Sequence, residues 1–492
     1  MKKAMKKLMA ALLAVAMVCA MAIPAFAAVD MTSHTFKAYQ IFAGDLNEGT
    51  LSNVTWGKNV TGDTFLAALQ SEDPTNYGSC TDAKAVAEVL SNSKALANDF
   101  AKFAAEHVTG TAVATGTGSV TLLSAGYYLI VDTTNVTDKH DAKNLSLLKV
   151  SSATTVTPQV KTDIPTLEKK VKDINDTTGV ESDWQDSADY DIGDIIPYKL
   201  TATLGKLDNY DKYYVKFVDT MTNLTYVTDS ASVKIDTTPL TPTQYKLTWD
   251  APSKTLEIEI TDVKVLGAVN SSVITVEYKA TLDDTAVLGS TGNPNQAHLI
   301  FSNNPNGEGY GKTAPDKNIV FTYKVDANKV DPDLNKLPGA AFELFKHVKD
   351  SSGNLTWESK GVMNATKNSD GTYTIDNATT VTEFAWNGID DGDYKLVEVV
   401  TPAGYNTMAE LLFTVTATHS ETADAPVLIT LSGDTFSGDV NTGVLTSQII
   451  NNRGTTLPGT GGIGTTIFYV IGGGLMVAAA ILLITKKRME NR

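Results

Sequence analysis

From Thr166 onward the sequence runs in short stretches that alternate apolar and polar residues, and this period of two most limits the fold. A helix repeats its buried face every three to four residues, whereas a strand turns successive side chains to opposite faces. Leu167-Glu168-Lys169-Lys170-Val171 alternates, as do Tyr198 to Thr203, Tyr213 to Asp219, Val273 to Ala280 and Ala297 to Phe301. Turn residues lie between these runs, a spacing that predicts an immunoglobulin-like sandwich. The same logic recurs in Ile319 to Val330, Ala341 to Phe345, Tyr394 to Val400, Leu412 to Thr416 and Val427 to Leu431. Nothing repeats at a solenoid period.

The segment from Val29 to Val160 is mixed. His34 to Phe42 is aromatic and β-prone, Asp82 to His107 carries Ala, Lys and Leu at helical spacing, and Gly126 to Val131 and Leu145 to Val150 return to strands. Pro158 and Pro165 bracket a linker. The expected fold class is therefore mainly β: an α+β N-terminal unit (28–161), then two tandem immunoglobulin-like sandwiches (162–317 and 318–455).

Both ends read as processed segments. Residues 1–27 have the three parts of a secretory signal: Lys2, Lys3, Lys6 and Lys7, the apolar run Leu8 to Ala22, and the small-x-small site Ala25-Phe26-Ala27. In residues 457–492, Ile467 to Ile484 is uncharged over a length that can span a bilayer. Lys486, Lys487 and Arg488 follow, which places the last residues in the cytoplasm. Removing the signal lysines and the net positive tail takes the formal charge from −16 to −23. So acidic a chain is not a nucleic-acid binder, because phosphate recognition needs clustered Lys and Arg. Of the two cysteines, Cys19 leaves with the signal, so Cys80 has no intramolecular disulfide partner. A secreted chain of this kind needs large cores or another cross-link.

Leu457-Pro458-Gly459-Thr460-Gly461 stands just before the apolar span. The order of LPxTG pentapeptide, span and basic tail resembles the cell-wall sorting signal of Gram-positive surface proteins. The resemblance implies that a membrane transpeptidase, sortase, cuts between Thr460 and Gly461 and passes the Thr460 carboxyl to an amine.

In the third unit, Thr322 to Val330 precedes Leu337-Pro338-Gly339-Ala340-Ala341-Phe342, followed by Gly392-Asp393-Tyr394-Lys395-Leu396-Val397-Glu398, Thr401-Pro402-Ala403-Gly404-Tyr405-Asn406 and Gln448-Ile449-Ile450-Asn451. This set resembles the B-type domain of collagen-binding adhesins and pilins. The resemblance implies an isopeptide bond from Lys329 to Asn451, promoted by Glu398, with Asn452 a rival to Asn451. The chemistry suits those residue types. An ammonium cannot attack an amide, but an apolar interior disfavours the charged form of a lysine and of an acid alike. A neutral acid can then hydrogen-bond the amide carbonyl and shuttle protons while ammonia leaves.

The second unit resembles the A-type isopeptide domain of pilins. Lys169 shares a face with Leu167 and Val171, Asp219 in Phe217-Val218-Asp219-Thr220-Met221 matches the promoting acid, and Asn295 is the acceptor. Lys170 and Asn303 remain alternatives. Each bond would tie the first strand of a unit to its last and carry tension covalently.

Sorting signal, two isopeptide domains and a lysine at the end of the N-terminal unit together resemble sortase-assembled backbone pilins of Gram-positive bacteria. In that family the linking lysine follows Tyr-Pro; here the region reads Thr157-Pro158-Gln159-Val160-Lys161, and Lys161 is the candidate. The resemblance implies a structural subunit and sortase substrate rather than an enzyme, with sortase, identical subunits head to tail, minor pilins and peptidoglycan as partners. An open, heterologous contact of this kind builds a fibre. The alternative is a wall-anchored adhesin that binds a host ligand without polymerising. Whether Lys37 gives the first unit a bond of its own is open. No cofactor or metal is expected: Gly459 to Gly464 fits GxGxxG but opens no crossover helix, Asp331 to Asn335 lacks the later positions of a calcium loop, and neither HExxH nor a nucleophile elbow occurs.

Overall fold

A computed structural model describes residues 29–93, 95–350, 352–455 and 463–490. In the first unit the strand Thr35–Asn47 lies between Thr50–Trp56 and Gly126–Asp132, with Leu147–Ser151 beyond. A bulge at Ile41 sets Gln40 opposite Tyr128 and Phe42 opposite Tyr127. The extra residue flips the strand's faces. Phe36 and Ala38 therefore feed a core continuous with the second unit, whereas Ile41 and Phe42 meet Phe65, Leu69, Phe100 and Phe103 of the helices. The expected helix from Asp82 to His107 is two, Ala83–Asn92 and Leu96–His107, parted at Ser93; the Asp82 side chain caps the first by accepting from the Ala85 amide at 2.8 Å.

The second unit is a sandwich. One sheet orders Ser187–Asp189, Asp316–Phe321, Asn293–Ser302, Val215–Met221, Thr255–Ile260 and Lys246–Asp250; the other contains Ser232–Ile235, Val273–Leu282, Ile195–Thr203 and Thr166–Val171. Ile196, Tyr198, Leu200 and Ala202 are all buried at alternate positions, as the period of two requires.

The third unit pairs Tyr323–Val330 in parallel with Val444–Ile450, so its first and last strands are neighbours. Across the core lies a sheet of Leu355–Met363, Ala341–Lys349, Gly392–Val400, Leu411–His419 and Leu428–Gly433. Here the structure corrects one boundary. The stretch Ile319 to Val330 is not one strand of the third unit: Asp316–Phe321 pairs with Asn293–Ser302, with Asn318 opposite Asn295, and the chain changes sheets at Thr322. The second unit therefore ends at Phe321 rather than Lys317. With no turn residue between Ile319 and Val325, a continuous apolar signal conceals the passage from one sandwich to the next.

The helix Ile463–Glu490 contains a segment, Tyr469–Lys487, long and apolar enough to cross a membrane. The signal (1–27) and the pentapeptide Leu457 to Gly461 lie outside the described residues.

Candidate functional site

Each sandwich encloses one lysine with an acid and an asparagine. In the second unit Lys169 comes from one sheet, and Asp219 and Asn295 from adjacent strands of the other. Lys169, Asp219 and Asn295 are all fully buried. The Lys169 Nζ donates to Asp219 Oδ2 at 2.7 Å and to the Tyr278 hydroxyl oxygen at 2.8 Å. Tyr278 donates its own proton to Asp219 and accepts from Asn295 Nδ2 at 2.9 Å. One hydroxyl thus links amine, acid and amide. The Lys169 Nζ also lies 4.9 Å from the Tyr198 ring centre and 5.3 Å from that of Tyr278, two rings stacked on each other. Burial lowers the Lys169 pKa against the opposing pull of Asp219. Asp219 Oδ1 and Asn295 Oδ1 have no hydrogen-bond partner among the described residues.

Neither alternative enters this cluster. Lys170 points the other way and pairs with Asp186 at 2.7 Å. Asn303 is buried elsewhere, its Nδ2 donating to the carbonyls of Val136 and Asp141 in the first unit.

In the third unit Lys329, fully buried, stands opposite Ile449 on the parallel neighbour strand, and Asn451 lies two residues further on, just past that strand's end. Lys329 Nζ donates to the Ile449 carbonyl at 2.8 Å. From the facing sheet, Glu398 accepts from Asn451 Nδ2 at 2.7 and 3.0 Å, and is fixed by the Met408 amide at 2.9 Å. Among the described residues Asn451 Oδ1 has no partner. Burial pushes the Lys329 pKa down to about 8, although the Glu398 charge works the other way. Asn451 is buried while Asn452 is exposed, and the period of two separates the rivals.

A third interior lysine behaves differently. Lys346 is fully buried where the second and third units meet, with Asp176 at 2.8 Å, Asp191 at 3.2 Å and Asp390 in contact. Burial alone would lower its pKa, but Tyr394, Asp390, Asp191 and Asp176 outweigh it and hold the ammonium well above its ordinary value. Lys360 also reaches Asp191 at 2.7 Å, and beside them His419 lies 3.3 Å from Asp173 and is pushed up to about 10. Four carboxylates from Asp176, Asp191, Asp194 and Asp390 converge within 4.8 Å of one another, and Lys346 answers three of them. A lysine held charged is an ion-pair partner. Burial beside an amide instead eases the loss of the Lys169 and Lys329 protons.

Sequence reasoning missed this acidic junction and both tyrosines. Tyr198 and Tyr278 read as ordinary inward aromatics, and only the fold aims a hydroxyl at three partners. Lys37 is half-buried between buried Phe36 and Ala38 on the outward side of its strand. Lys161 is exposed in the segment between the first two units.

Residues 323–426 match the SpaA family, described as a prealbumin-like fold domain. The architecture is similar to that of the T6 backbone pilin of serotype M6 Streptococcus pyogenes, described as a modular three-domain structure, with a TM-score of 0.51 at 16% identity, covering 87% of this chain and 98% of that one. The chain has a backbone-pilin fold. The major pilin SpaD of Corynebacterium diphtheriae is also similar, with a TM-score of 0.44 and 17% identity over 86% of this chain and 94% of that one. In sequence, 181 residues are 29% identical to the trypsin-resistant surface T6 protein of Streptococcus pyogenes serotype M6, covering 34% of this chain and 29% of that protein's length.

Proposed function

We propose that this pilin-fold chain is the shaft subunit of a covalent cell-surface pilus, stiffened by two internal Lys–Asn isopeptide bonds. The observation that carries it is the duplicated arrangement of an uncharged-leaning lysine, an acid and an amide, sealed in two separate cores. In the low-dielectric interior an ammonium–carboxylate pair gains little over the neutral pair. A proton passed from Lys169 to Asp219 leaves an amine and a neutral acid. The amine nitrogen attacks the Asn295 side-chain carbon, the acid stabilises the carbonyl oxygen, and the carbon–nitrogen bond to the amide nitrogen breaks. The acid relays the proton that the attacking amine loses to that nitrogen, which departs as ammonia, and the isopeptide bond remains. Lys329, Glu398 and Asn451 follow the same course in the third unit.

Polymerisation uses the two ends. Sortase holds the Thr460 carboxyl as a thioester after cutting the pentapeptide, and Lys161 of the next subunit attacks it. Partners are then sortase, identical subunits, minor pilins at tip or base, and peptidoglycan where the last transfer anchors the fibre. The similarity to the T6 backbone pilin supports this reading. The intact mass of a secreted chain ending at Thr460 tests the internal bonds: two ammonias fewer than the sequence mass is expected, and an undiminished mass rejects them. For the polymer, wall extracts boiled in detergent should show a ladder that Lys161→Ala abolishes. Monomer alone from the unaltered chain would favour an adhesin that never polymerises.

A further inference from the structure

The peptide segment that presents Lys161 has no regular secondary structure, yet its main chain is held on both sides. The Lys161 amide donates to Asn144 Oδ1 at 2.7 Å, and the Lys161 carbonyl accepts from Asn209 Nδ2 at 2.6 Å. Asn144 belongs to the first unit and Asn209 to the second. Asn144 is fully buried and uses every polar group it has. Its Nδ2 donates to the Gln159 carbonyl at 2.8 Å, its main-chain amide to Asp132 Oδ2 at 2.8 Å, and its carbonyl accepts from Asn306 Nδ2 of the second unit at 2.9 Å. Asp132 is itself buried against the His34 ring at 2.6 Å. Flanking side chains lock the strap further: Pro158 and Thr162 are buried, while Val160 and Lys161 are exposed.

A side-chain amide that bonds one strap residue's carbonyl and the amide two residues on reproduces half of a β-ladder. It holds the strap at two main-chain points without a second strand. Clamping the main chain at residues 159 and 161 sets the direction in which the lysine leaves the surface. Because Asn209 completes the clamp from the second unit, the lysine is presented only when the two units are docked.

We infer that Asn144 is the positioning residue for intersubunit transfer, holding the Lys161 main chain so that its amine meets the acyl group on sortase. This rests on the reading of Lys161 as the linking lysine. In that transfer the Lys161 nitrogen forms a bond to the Thr460 carbonyl carbon, the carbon–sulfur bond breaks, and the enzyme thiol recovers the proton the amine releases. Holding a nucleophile in its attacking geometry accelerates such a step without touching its chemistry.

The test uses the full chain with its sortase, comparing Asn144→Ala, Asn209→Ala and Lys161→Ala. Asn144→Ala should lower ladder formation by roughly tenfold or more, the scale of a hydrogen bond or two lost from the reacting geometry. Two readouts should stay at the wild-type level: the two-ammonia mass deficit, which reports folded sandwiches, and release of the Thr460 acyl group to hydroxylamine, which bypasses Lys161. A wild-type ladder in Asn144→Ala overturns the inference. If Asn144→Ala loses the mass deficit and so misfolds, Asn209→Ala, a change to a half-buried residue, decides: a reduced ladder upholds the clamp and an unchanged one overturns it. A ladder that survives Lys161→Ala fails the underlying assignment instead, and the clamp with it.

Discussion

Replacing Asn451 by Ala removes the acceptor of the proposed third-unit bond while leaving Lys329 and Glu398 in place, and the consequences can be worked from the structure. A bond from Lys329 to Asn451 would close a loop of about 120 residues, for which chain-entropy arguments give about 5 kcal/mol of stabilisation. Without it, Lys329 keeps an amine in a fully buried site where burial pushes its pKa down to about 8 from 10.5. That depression corresponds to about 3 kcal/mol against the folded state at pH 7. The sign follows from proton counts. Between pH 8 and 10.5 the unfolded lysine still holds its proton and the folded one does not, so the variant gains stability as the pH rises through this window. Wild type has no amine there and does not share the gain. A unit of about 130 residues unfolds with an entropy that turns the combined ~8 kcal/mol into a drop of roughly 25–30 °C. About 10 °C of that deficit should return between pH 7 and 10.5. Calorimetry of both proteins at the two pH values, with intact mass confirming one ammonia deficit rather than two, is the assay. A variant that melts within a few degrees of wild type, with no recovery at high pH, would refute the idea that a bond forms from an uncharged Lys329.

Tyr278→Phe keeps the ring stacked on Tyr198 but deletes the hydroxyl joining Lys169, Asp219 and Asn295. The second-unit bond should form slowly, visible as freshly purified protein carrying one ammonia deficit that approaches two over time; prompt completion would show the hydroxyl is dispensable. Lys346→Ala should leave the mass deficit untouched but take from buried Asp390 its cation, while Lys360 still answers Asp191, at a cost of about 3–5 kcal/mol by thermal melting. A mass change in that variant would mean that Lys346, too, is cross-linked.

Much of this molecule was legible in its letters because a period of two is a local property. Alternation in Tyr198 to Thr203 announced a strand with one buried face, and the same counting put Lys169 on the inward side with Val171. The pairing of first strand with last was legible only through family likeness; in the structure it is the parallel register of Lys329 with Ile449. What local pattern cannot encode is where one sheet ends and the next begins. Asp316–Phe321 reads continuously into Tyr323–Val330, and only hydrogen bonding to Asn293–Ser302 assigns it to the second sandwich.

Lysine identity is likewise silent about charge. Lys169, Lys329 and Lys346 all lie inside, yet burial lowers the pKa of the first two while neighbouring acids hold that of the third up. The difference is the number of carboxylates brought within reach, which is set by chain segments far apart in sequence. By itself the sequence determined which side chains face inward, because backbone geometry does so residue by residue. Tertiary structure decided what those inward groups meet, because a pKa and a reaction partner depend on the atoms within a few ångströms, and those come from every unit at once.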